Sequence, residues 1–143
     1  MWLRSQSPEL KALFSNPDVT WEELDATVNR LVDSGADLGM GRGYGFSKAC
    51  LTAFTMIQAK MYPSLTVTSL SPGFIDTAMT AGFGARLKPE QGTVSAMRCL
   101  FDGVTSGWYY GSDGLRSPLT CTRDPGTPEY EGEDSPDPRK YNN

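Results

Sequence analysis

Tyr44 and Lys48 stand four residues apart in a segment whose apolar pattern is helical, so a phenol and an ammonium share one helix face, one turn apart. That pair suits a carbonyl oxygen. The phenol can give or take a proton while the neighbouring cation favours the ionised form. The chain has no histidine, which excludes Ser-His-Asp and Cys-His catalysis among its own residues. Proton transfer must use tyrosine, lysine or carboxylates. Cys50, Cys99 and Cys121 are odd in number and widely spaced, so neither a zinc site nor a disulfide framework is indicated. Cys50 and Cys99 fall in helical patterns and are expected in the core. Taken alone, a Tyr-x-x-x-Lys match also describes a solvated helix face.

The elements that would position this pair can be read outward from it. From Tyr44 to about Met61, Phe46, Cys50, Ala53 and Ile57 cluster roughly opposite Tyr44 and Lys48, so one face packs while the other presents the phenol and ammonium. Before it, Thr20-Trp21-Glu22-Glu23 has the form of a capping box. Trp21, Leu24, Val28, Leu31 and Val32 then recur at helical spacing up to Ser34-Gly35. Residues 35 to 43, with Gly35, Gly39, Gly41 and Gly43, read as a loop. After it, Leu65 to Leu70 is rich in β-formers and bounded by Pro63 and Pro72, the pattern of a buried strand. Pro89 opens a further helix whose apolar side is Val94, Met97, Cys99, Leu100 and Phe101, stopping near Asp102-Gly103. Trp108-Tyr109-Tyr110 reads as a second strand running into the Gly111-to-Gly114 turn.

Gly43-Tyr44-Gly45-Phe46-Ser47-Lys48-Ala49, a helix, a strand, and then Ser71-Pro72-Gly73-Phe74-Ile75-Asp76-Thr77-Ala78-Met79 together resemble the short-chain dehydrogenase/reductase family. Ser7-Pro8-Glu9-Leu10-Lys11, Thr20 to Leu24, Glu90-Gln91-Gly92 and Tyr110 to Gly114 extend the likeness to its carbonyl reductase-like branch, which carries an extra segment before the catalytic tyrosine. The resemblance spans roughly residues 5 to 120. It implies Tyr44 as general acid and Lys48 as the cation that lowers its pKa and binds the nicotinamide ribose. It also implies Pro72 and Gly73 as the turn that approaches the nicotinamide, Ile75 as a backbone partner of the carboxamide, and Thr77 as a contact to carboxamide or pyrophosphate. In isolation, Pro72-Gly73 is simply a turn and Thr77 a helix cap. Phe74, Met79, Phe83 and Leu87 would line a substrate pocket under a lid hinged at Gly82 and Gly84, or equally pack a core. Asp76 and Asp113 read as solvated turn residues.

By the same resemblance the fold is α/β, a partial Rossmann-type doubly wound sheet. The glycine-rich strand-turn-helix unit of dinucleotide sites has no counterpart here, and the family's catalytic serine would lie upstream of Met1. The expected division is therefore a C-terminal catalytic half over residues 1–122 and an acidic, proline-rich tail over 123–143, too poor in apolar side chains to order itself. A two-stranded pair is marginal without further cover, so exposed apolar surface and self-association are expected.

A formal net charge of -4 argues against a nucleic-acid partner and against an anionic membrane surface. No apolar run approaches the length of a membrane span, and Met1-Trp2-Leu3-Arg4 lacks a signal-peptide core. A cytoplasmic protein is expected. The reading that results is an NADPH-dependent reductase of a ketone, aldehyde or quinone, NADH being the other possible donor. The alternative is a non-catalytic remnant that binds a partner through an open sheet edge and helix face.

Overall fold

The computed structural model describes residues 2–35 and 40–132. A 3-10 turn at Trp2–Ser5 leads to helix α1, Pro8–Ser15. Its start is set by Ser7, whose hydroxyl accepts from the Leu10 amide, with proline in the first turn where its missing N–H costs nothing. Helix α2, Trp21–Asp33, begins at the expected capping box. The Thr20 hydroxyl accepts from the Glu23 amide at 3.2 Å and the Glu23 carboxylate accepts from the Thr20 amide at 2.9 Å.

Helix α3, Met40–Met61, carries the Tyr44–Lys48 pair. It starts inside the stretch expected to be a loop and runs through Gly41, Gly43 and Gly45; the loop's residues 36–39 lie outside the described ones. Each glycine costs roughly 1 kcal/mol in a helix, and tertiary packing outweighs that cost here. A Cβ on Gly45 would fall 2.6 Å from the Trp2 Cβ, so the glycine is what lets the Trp2–Ser5 turn lie against α3. Phe46, Ala53 and Ile57 are buried, as the helical pattern requires, while Tyr44 is exposed.

The core forms between the Trp2–Ser5 turn and α1 to α3. Trp2, Phe14 and Phe46 make an aromatic cluster with centroids 4.9 to 6.3 Å apart, and Leu24, Ala53, Met56 and Ile57 extend it. Cys50 is half-buried beside this core, and burial pushes its thiol up to about 11. Cys99 is also half-buried but is not part of the core cluster.

Strand β1, Ser69–Leu70, pairs in parallel with β2, Tyr109–Tyr110, in the register Ser69↔Tyr109. The expected strand over 65–70 is thus shortened. Residues before it remain tied, Val67 accepting from the Gly107 amide at 2.8 Å, but Leu65 and Leu70 are exposed. With a neighbour on only one edge among the described residues, the ladder has little to extend it. The described residues form this one parallel pair and do not show the expected doubly wound sheet.

The crossover from β1 to β2 passes through 3-10 turns at Ala78–Thr80 and Pro89–Thr93 and helix α4, Val94–Phe101. Its anchored side is small and polar: Ser95 is fully buried and its hydroxyl donates to the Ser71 carbonyl at 3.0 Å. Val94, Met97, Leu100 and Phe101, expected to pack, are instead exposed, because no described element lies over them.

The acidic segment is corrected in its first ten residues. Arg123 and Thr127 are buried. The Arg123 guanidinium pairs with the Asp113 carboxylate and donates to the Ser117 hydroxyl and the Thr127 carbonyl, at 3.1 and 2.9 Å. Arg116 lies between the rings of Trp108 and Tyr130, at 3.8 and 4.9 Å from their centroids. Asp113 is therefore an ion-pair partner and not a solvated turn residue. Residues 133–143 of the expected tail lie outside the described ones.

Candidate active site

Helix periodicity places Tyr44 and Lys48 on the solvent side of α3, and the Lys48 ammonium stands 5.3 Å from the centre of the Tyr44 ring. Lys48 makes no ion pair with a described residue. Both side chains line an open cleft of about 870 Å³, within the usual range for small-molecule sites. The opposite wall is β1 as it runs through Ser71 into Pro72. The structure thus brings Tyr44, Lys48 and Pro72 to one cleft.

Gly73, Ile75 and Thr77 continue from that wall but do not line the cleft. Gly73 has φ +87°, and a Cβ there would fall 2.7 Å from Leu87 Cδ1 and 3.1 Å from the Ser112 Cβ, so the turn requires glycine. Ile75 forms a parallel bridge with Leu87, and its side chain presses on Gly92, where a Cβ would lie 2.0 Å from Ile75 Cδ1. Thr80 closes the loop: its hydroxyl donates to the Ile75 carbonyl at 2.5 Å and accepts from the Thr77 amide at 2.9 Å. Of the expected lid residues, Leu87 packs on Gly73, whereas Phe74, Met79 and Phe83 are exposed. The Asp76 amide donates to the Leu87 carbonyl at 2.8 Å. Among the described residues no cluster of metal-ligand side chains occurs, and no helix is long and apolar enough to cross a membrane.

Over 116 residues the chain is 31% identical to salutaridine reductase of Papaver bracteatum, an alignment covering 74% of this chain and 37% of that protein. Over 68 residues it is 37% identical to (-)-isopiperitenone reductase of Mentha piperita, covering 47% of this chain and 22% of the other. Over 69 residues it is 33% identical to short-chain dehydrogenase/reductase 1 of Saponaria officinalis, covering 47% and 22%. The chain belongs to the short-chain dehydrogenase/reductase family. No family model matches it. It spans little more than a third of the length of the salutaridine reductases it matches.

In this short-chain dehydrogenase/reductase chain, two cleft residues escape sequence reasoning. Ser69 Oγ is buried without a hydrogen-bond partner among the described residues, and Ser69 lines the same cleft as Tyr44. A buried unpaired hydroxyl costs about 1–3 kcal/mol. Its signal was a serine inside an otherwise apolar and β-branched run. Tyr109 is the second tyrosine of the cleft. Burial pushes its phenol above the usual range, against the pull of a hydrogen bond with Ser71. Tyr44, by contrast, is exposed and stands beside Lys48.

Proposed function

We propose that this chain supplies the reaction end of an NADPH-dependent oxidoreductase that reduces a ketone, aldehyde or quinone, NADH being the other donor compatible with the family. What carries the reading is one juxtaposition: Tyr44 and Lys48 form one wall of a cleft whose other wall is the strand leading into Pro72-Gly73. The family membership supports an oxidoreductase in general terms, and the tyrosine-lysine mechanism is our own extension of it.

The residues present fit the nicotinamide end of the cofactor. Gly73 makes a turn in which no side chain can stand, leaving backbone for close approach. Lys48 holds an ammonium with no competing carboxylate among the described residues, available to ribose hydroxyls. Pro72, Ile75 and Thr77 would complete the cradle through backbone and hydroxyl groups, the Thr80 hydrogen bonds holding the loop in shape.

When bound, the reduced nicotinamide supplies hydride to the carbonyl carbon. Tyr44 gives its phenol proton to the carbonyl oxygen in the same step, producing the alcohol. The Lys48 ammonium stabilises the negative charge left on the phenol oxygen. Because Tyr44 is exposed, solvent can return its proton. The test is carbonyl-dependent loss of NADPH absorbance with menadione as substrate. Tyr44→Phe is expected to lower turnover by about a hundredfold or more, the usual worth of a positioned acid; equal turnover in both proteins would refute the assignment.

A second reading is favoured by Val94, Met97, Leu100 and Phe101, four exposed apolar side chains on α4, in a chain whose sheet has only two strands among the described residues. Such a surface supports association with a partner or a second copy. The chain would then be a non-catalytic remnant, and Tyr44→Phe would leave partner binding unchanged.

A further inference from the structure

A second cavity, of about 650 Å³, opens where the start of α2 meets the far end of α3. Tyr44 and Lys60, sixteen residues apart on α3, are separated by roughly 24 Å of helix, so this cavity is remote from the candidate active site. Its floor is apolar, with Val19 and Ile57 buried. Its walls are aromatic. Trp21 meets Phe54 edge to face at 5.5 Å, and yet Trp21 and Tyr62 remain 49% and 48% exposed. An indole and a phenol half in solvent over an apolar floor form a ligand-sized recess that the core has left unfilled.

The charges around it settle what it would take. Lys60, the cavity's one cation, forms an ion pair with Asp18 across the rim. Glu22 also lines the cavity and has no ion-pair partner among the described residues. The balance is one uncompensated negative charge beside exposed aromatic rings, a setting that attracts a cation and repels an anion. An anionic cofactor would find no free positive group there. We infer that the Trp21–Tyr62 cavity is a second binding site, for a small organic cation with an apolar or aromatic body, separate from the Tyr44–Lys48 cleft. The inference does not depend on any reductase activity, since neither Tyr44 nor Lys48 contributes to it.

The indole N–H signals of the full chain, followed by NMR, give a direct readout. The Trp21→Phe variant identifies the Trp21 signal, and Trp2 and Trp108 report whether the fold persists. The probes are benzyltrimethylammonium, benzyl alcohol and benzylsulfonate, a cation, a neutral compound and an anion of similar size. The expected result is a saturable shift of the Trp21 signal, with the cation binding about fivefold tighter than the neutral probe and the anion weakest. Glu22→Gln should bring the cation down to the neutral probe's affinity. Equal affinity for all three probes would overturn the charge argument. A shift that does not saturate, or one spread equally over Trp2 and Trp108, would overturn the site itself.

Discussion

Asp113 and Arg123 show how a single pair can reorganise the reading of a segment. The Arg123 side chain is only 1% exposed, and burying a guanidinium without a partner is costly. Burial pushes the Asp113 carboxyl upward, but it is held below its ordinary range by the Arg123 hydrogen bond and charge and by the Leu115 and Gly126 amides. A folded-state pKa below the unfolded one adds stability that is fully present above the unfolded value, about 4, and is lost as pH falls through the folded value. Residues 113–127 should therefore hold at neutral pH and loosen in acid. Asp113→Asn is expected to cost about 2–3 kcal/mol at neutral pH, somewhat less than for a wholly buried pair, and to flatten the acid limb of a urea-denaturation series. An acid limb as steep in Asp113→Asn as in the unsubstituted protein would contradict this. The pair was not legible in the sequence because ten residues separate its members and the surrounding composition is that of a solvated tail. Tyr44 and Lys48 were legible because four-residue spacing on a helix fixes a shared face whatever the tertiary context.

At the level of elements, local signals and tertiary demands parted company in identifiable places. The capping box of α2 and the buried face of α3 came through unchanged, because both depend on contacts within a few residues or on a simple period. The start of α3 did not. Glycines that locally read as a loop are helical because Trp2 packs directly on Gly45, a contact between distant parts of the chain. Gly45→Val removes that approach and gains only roughly a few tenths of a kcal/mol in helix propensity. Overpacking of this kind costs about 1–3 kcal/mol, so a thermal melt of the variant should show a clearly lower midpoint, whereas an unshifted melt would mean that the Trp2–Ser5 turn is not held against α3. The apolar runs at 65–70 and 94–101 were read as buried strand and packed helix. Their side chains are largely exposed because burial of a parallel strand needs neighbours on both edges and cover on both faces, and the described residues supply one edge partner.

At the scale of the molecule, a helical core and a parallel strand pair bring Tyr44 and Lys48 to one cleft with Ser71 and Pro72. On the proposed reading, Tyr44 and Lys48 belong to the reaction end of a reductase of this family. The central claim is thus specific about orientation: the nicotinamide end of the cofactor, and not its adenosine end, belongs to these residues. Saturation-transfer NMR of NADPH over the purified chain tests this most directly. The expected result is strong transfer to the nicotinamide-ring protons, weak transfer to the adenine protons, and loss of the nicotinamide signal in Lys48→Ala. Transfer confined to the adenine protons, or none to either ring, would contradict the assignment of Tyr44, Lys48 and the Pro72-Gly73 turn to the reaction end of a reductase.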